Sequence, residues 1–128
     1  MDYVPRKYIH PEYDEQKLKA LMNLQASIPE KKMPCAFVIF DDCLNSPKQW
    51  NSKPLISLCT QLRHYKVFVI MSTQWCNLIH PTIRSNCFGS FIFFIDGKNQ
   101  LKSLFENYGQ CFNSFNDFKK YMFANTGN

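Results

Sequence analysis

The run Cys35-Ala36-Phe37-Val38-Ile39-Phe40-Asp41-Asp42-Cys43, "CAFVIFDDC", decides the fold. An uninterrupted apolar stretch from Cys35 to Phe40 halts on two adjacent carboxylates. A strand with one wet face alternates apolar and polar residues, whereas a continuous run is the pattern of a strand inside a parallel sheet, covered on both faces. The pattern returns at Val67-Phe68-Val69-Ile70-Met71, which ends on Ser72-Thr73-Gln74. It appears a third time from Phe88 to Ile95, broken by Gly89 and Ser90.

The segments between these runs read as helices. Leu18, Leu21 and Met22 give the stretch from Asp14 to about Gln25 one apolar face. Ser27 to Pro34 is a polar turn, and 43–53 is a loop holding Asn45, Ser46 and Pro47. Ser52 suits an N-cap with Pro54 in the first turn behind it, and Leu55, Leu58, Cys59 and Leu62 recur as one helical stripe. A short helix starts near Pro81, and two more cover about 98–107 and 114–124, with Gly109 stopping the first. Strand, helix, strand, helix, strand is the grammar of an α/β domain with a parallel sheet. The chain divides into an irregular arm (1–13), a helix and turn (14–34), the strand-bearing centre (35–95) and C-terminal helices (96–128).

Composition sets outer limits. The 128 residues are 45% hydrophobic and 16% aromatic with only 4 glycines, which excludes low complexity and disorder and suits a single domain or a piece of one. The net charge of +5 is dispersed along the chain; it is compatible with a phosphate or nucleic-acid partner and equally with a solvated surface. Cysteines at 35, 43, 59, 76, 87 and 111 never fall at Cys-x2-Cys spacing, and several sit in apolar runs. A reduced intracellular compartment is expected, without a signal peptide. The apolar runs are too short to cross a bilayer, so no membrane association is expected.

In parallel sheets, ligands bind in the crevice at the carboxyl ends of the strands. Asp41, Asp42 and Gln74 all stand at such ends and would project toward one place. Two acidic residues after a strand often do no more than open a turn, and a Ser-Thr-Gln string is often a solvated strand end. A carboxylate there also suits magnesium, a hard cation that prefers oxygen ligands, and its neighbour could deprotonate an attacking water.

Taken in order, "FVIFDD", "QLRHYKV", "VIMSTQ", "HPTIRSNC" and "FIFFID" resemble the genome-packaging ATPases of large DNA viruses, the poxvirus-type branch of the FtsK–HerA class of P-loop ATPases. The resemblance runs from about residue 35 to 95 and extends weakly through "FNDFKKYM". It implies a partial P-loop NTPase domain of the RecA/ASCE-like kind, with a mostly parallel sheet flanked by helices. Phe37 to Asp42 would be the Walker B strand, with Asp41 holding magnesium and Asp42 acting as general base toward the water that attacks the γ-phosphate of ATP. Gln74 would sense that phosphate. Arg63 and Arg84 would be candidates for a finger reaching a neighbouring subunit's nucleotide, or else surface ion-pairing residues. The resemblance further implies double-stranded DNA and capsid or portal components as partners, a homo-oligomeric ring, and work at the virus assembly site in the host cytoplasm or in the virion.

One departure qualifies this reading. Nothing in the chain reads Gly-x4-Gly-Lys-Ser/Thr, and glycines only at 89, 97, 109 and 127 allow no phosphate-cradling loop. The P-loop strand of this class lies between the sensor strand and the strand matching 88–95, so its loss leaves those two without a partner between them. The expected outcomes are direct pairing in a rearranged sheet, a strand supplied by another chain, or marginal stability, and Mg-ATP would bind this chain alone weakly at most. Three functions fit: an ATPase fragment inactive by itself, a non-catalytic module docking on ATPase subunits, capsid or DNA, and a metal-dependent nucleotide-sugar transferase. The last normally wants Asp-x-Asp and leaves Gln74 and Arg63 without a task.

Overall fold

The computed structural model describes residues 4–93 and 95–126. Its order is helix α1 (Glu15–Ser27), strand β1 (Ala36–Asp41), helices α2 (Pro47–Trp50), α3 (Lys53–Thr60) and α4 (Leu62–Tyr65), strand β2 (Val67–Ser72), then α5 (Pro81–Ser85), α6 (Lys98–Tyr108) and α7 (Phe115–Thr126). β1 and β2 pair in parallel, with Ala36 opposite Val67 and Asp41 opposite Ser72. The mixed α/β class and the parallel pairing agree with the sequence pattern.

Local chemistry fixes where these elements start. Asp14 caps α1 by accepting from the amides of Gln16 and Lys17, and those hydrogen bonds, led by the one from Lys17, hold its carboxyl below the usual range. Gln25, buried at the far end of α1, donates through Nε2 to the carbonyls of Pro34 and Tyr65 at 3.0 and 2.9 Å. Each carbonyl lies just ahead of a strand, so one side chain sets the entry of both. Lys66 takes a left-handed conformation at φ 47°, which ends α4 and turns the chain into β2.

The expected loop over 43–53 contains α2, a single turn closed by a capping box between Ser46 and Gln49. It places Trp50 fully inside, where its indole N–H donates to the Leu44 carbonyl at 2.8 Å. Ser52 does stand at the N-cap of α3, but its side chain makes no cap bond and instead shares a 2.6 Å hydrogen bond with the Tyr13 hydroxyl. The helical stripe keeps Leu55, Leu58 and Cys59 in the core, while Leu62 belongs to α4, after a break at Gln61.

Two expectations about the sheet need correction. The apolar runs are not covered on both faces: Phe40, Val67 and their same-side neighbours pack on α1 and α3 residues, while Phe37, Ile39, Phe68 and Ile70 point the other way and are exposed. The run from Phe88 to Ile95 forms no strand among the described residues, Phe94 lying outside them. Ile92 and Ile95 lean on a second core formed by Leu101, Leu104, Phe118 and Met122 of α6 and α7, whereas Phe88, Phe91 and Phe93 face solvent. A strand needs backbone partners, and among the described residues no neighbouring strand reaches this segment.

Candidate functional site

The carboxyl ends of β1 and β2 meet because Asp41 and Ser72 are opposite each other in the register. The Ser72 hydroxyl donates to Asp41 Oδ1 at 2.6 Å, and Ser72 Oγ accepts from the Asp42 backbone N–H at 3.0 Å. One hydroxyl therefore ties both members of the acidic pair to the end of the second strand. Asp42 then turns sharply, with φ 46°, a left-handed conformation that Asp tolerates better than most residues. That turn lets Gln74 reach it: Gln74 Nε2 donates to Asp42 Oδ2 at 2.8 Å.

Asp41, Asp42 and Gln74 are thus brought together, and all three are exposed. The two arginines are placed elsewhere. Arg63 lies on α4 ahead of β2, at the opposite end of that strand, with its guanidinium over the Phe88 ring at 5.8 Å from the centroid. Arg84, on α5, donates to the Ile79 carbonyl, and its charge sits close enough to Tyr108 to oppose the rise that burial imposes on that phenol. Ser72 is the participant not assigned a role from the sequence. The parallel register would have revealed it, since equal offsets from the two strand starts put residue 72 opposite residue 41.

The oxygen donors, two carboxylates and a hydroxyl, fit magnesium in kind. They do not make a complete cage: no group of three or more His, Cys, Asp or Glu side chains able to hold a metal occurs among the described residues. A divalent ion here needs further oxygens from elsewhere, as magnesium commonly takes from phosphates. The chain has no glycine-rich loop of the phosphate-cradling kind.

The family profile described as zonular occludens toxin (Zot) matches residues 7–90, which takes in both strands and the whole acidic end. The chain belongs to the Zot family. This family is itself related to P-loop ATPases. Viral proteins resemble this Zot-family chain over nearly all its length: uncharacterized protein 075L of Invertebrate iridescent virus 6 is 38% identical over 98% of the chain and 50% of its own length. Uncharacterized protein 088R of Invertebrate iridescent virus 3 is 32% identical over 94% of the chain and 46% of its own length. Uncharacterized protein L437 of Acanthamoeba polyphaga mimivirus is 27% identical over 94% and 46%. The chain therefore spans about half the length of the curated relatives it matches. No solved structure matches it. No helix among the described residues is long and apolar enough to cross a membrane.

Proposed function

We propose that this chain is the Walker B and sensor portion of an ATPase that drives genome packaging in a large DNA virus. The reading rests above all on the 2.8 Å hydrogen bond from Gln74 to Asp42 at the carboxyl end of a parallel pair, which links the residue in the sensor position to the one in the base position. Membership of a P-loop ATPase-related family and the viral origin of the relatives support it.

In this reading Asp41 is the carboxylate that holds magnesium, and Ser72 keeps it aimed by donating to Oδ1, leaving Oδ2 without that bond. Magnesium, when bound with ATP, supplies neutralising charge to the phosphates. Asp42 orients and deprotonates the attacking water. Gln74 holds Asp42 Oδ2, so a ligand that draws the amide away frees a carboxylate oxygen and alters the contact between the two strand ends. Arg63, remote from this end, could serve only a site on another subunit, and Arg84 is the second candidate for that role. Double-stranded DNA, capsid or portal components, a ring of subunits and the assembly site in host cytoplasm or the virion are the corresponding partners and place.

The test is reconstitution. The chain alone should not turn over ATP, because nucleotide affinity in P-loop enzymes rests largely on the loop amides and lysine, which it lacks. Mixed with a polypeptide carrying the P-loop half of a related enzyme, it should support hydrolysis, and Asp42→Asn should remove that activity while leaving assembly intact. Micromolar Mg-ATP binding and turnover by the isolated chain, or full activity of the Asp42→Asn mixture, would overturn the reading.

A further inference from the structure

The sheet has one finished face and one bare face, and the bare face is apolar. Phe37 stands opposite Phe68, with ring centroids 5.7 Å apart, and Ile39 stands opposite Ile70. These side chains are 71%, 55%, 65% and 48% exposed. A parallel sheet in an α/β protein carries helices on both faces, and a contiguous apolar patch with this arrangement marks a surface that something covers. The backbone is unfinished in the same region. Ala36 N–H donates to the Lys66 carbonyl, so alternation along a parallel pair turns the backbone groups of Val67, Val69 and Met71 to the outer edge of β2. Among the described residues no third strand joins that edge.

The segment after α5 has the complementary defect. Ile92 faces the α6–α7 core while its neighbours Phe91 and Phe93 are 95% and 82% exposed, an in-and-out alternation over 91–93 that suits a strand lacking a sheet. The curated relatives supply a candidate occupant, the part of their length that lies outside the match. Each of the three described above is about twice the length matched here. A β-strand and its crossover helix need about 30 residues, well within that remainder.

We propose that the bare sheet face, the outer edge of β2 and the 88–93 segment form one docking surface for an α/β half-domain equivalent to the remaining half of these relatives. The half-domain lays the apolar face of a helix on Phe37, Ile39, Phe68 and Ile70. It inserts a parallel strand along Val67, Val69 and Met71, and residues 88–93 then join the sheet. This rests on the proposed ATPase reading only in the identity of the partner; the surface itself is defined by exposure and register.

The probe is the part of protein 075L that lies outside its alignment with this chain, made as a separate polypeptide and mixed with the full chain in the absence of nucleotide. Light scattering after gel filtration should show a one-to-one complex, and amide exchange should slow at 67–71 and at 88–93. Phe37→Lys combined with Ile70→Lys should weaken association at least tenfold without lowering the melting temperature of the chain, since both side chains are exposed. Association untouched by that double variant overturns the inference, as does protection confined to other segments. Self-association of the chain with no uptake of the probe overturns it too. Because binding is read without ATP, a complex that forms and never hydrolyses nucleotide counts against the packaging reading and leaves the docking surface standing.

Discussion

Val67–Ser72 and the run around Phe91 are both apolar and rich in β-forming residues, yet one is a strand and the other is not. β2 has a neighbour in register, a helix turn that delivers it, and a core beneath Val67 built by Leu18, Leu55 and Leu58. The 88–93 segment has a core on one side only, no neighbouring strand among the described residues, and Gly89 and Ser90 near its start. Strand propensity therefore measures how well a sequence fits a sheet that other segments must provide. The contrast teaches that an apolar run becomes a strand only where a neighbouring strand stands ready to pair with it.

The largest effect should come from removing what β2 has and the other run lacks. Trp50 is fully buried in the core beneath the sheet, and Trp50→Ala should cost about 3–5 kcal/mol by opening a cavity and orphaning the Leu44 carbonyl. Phe91→Ala, at a side chain 95% exposed, should change stability by no more than about 0.5 kcal/mol. Paired urea melts measure both. A comparable loss from Phe91→Ala would show that the 88–93 segment is already part of a packed core in the isolated chain.

The first two strands and the helices around them, the boundaries near Asp14, Ser52, Pro81 and Gly109, and the convergence of Asp41, Asp42 and Gln74 were legible in the sequence, whereas the third strand expected over 88–95 is not formed among the described residues. The legible features depend on local periodicity, capping chemistry and the rule that parallel strands end together. The exposure of Phe37 and Ile39 was not legible, because a continuous apolar run records that both faces are meant to be covered and not whether the cover is present. The short turn carrying Trp50 escaped because one helical turn has no period to detect. Ser72 escaped because its role depends on register, which the two runs specify only once their first paired residues are known.

An intermediate effect should appear with pH and should fall mainly on the sheet-bearing core. Burial pushes the Cys59 thiol up from 9.0 to about 12, and burial likewise raises the Tyr13 hydroxyl above 10.0, against a smaller lowering by its bond to Ser52. Both groups are neutral in the folded state where the unfolded chain has begun to ionise. Their stability contribution is therefore fully present below about pH 9 and is lost as pH rises from there toward 12. Melting temperatures recorded from pH 7 upward should hold until about pH 9 and then fall. Cys59→Ala should flatten the first part of that fall, and an unchanged slope would mean that the thiol is not the group responsible.

The smallest effect concerns the acidic pair and separates a charge kept for a ligand from one kept for the fold. Asp42 occupies a left-handed position, where Asn is at least as comfortable as Asp, and an Asn carbonyl oxygen can still accept from Gln74 Nε2. The backbone N–H of residue 42 keeps its bond to Ser72 in either case. Asp42→Asn also removes one of two adjacent negative charges at an exposed strand end, so stability at neutral pH without metal should stay level or rise by up to about 1 kcal/mol. Asp42→Val, which keeps neither the acceptor nor a tolerance for positive φ, should instead lose about 1–2 kcal/mol. Thermal melts of the three proteins decide between the roles. If Asn is as damaging as Val, the carboxylate charge itself is holding the strand ends together, and its assignment as a base awaiting a nucleotide loses its support; if Asn is harmless, the charge has no structural task and is free for chemistry.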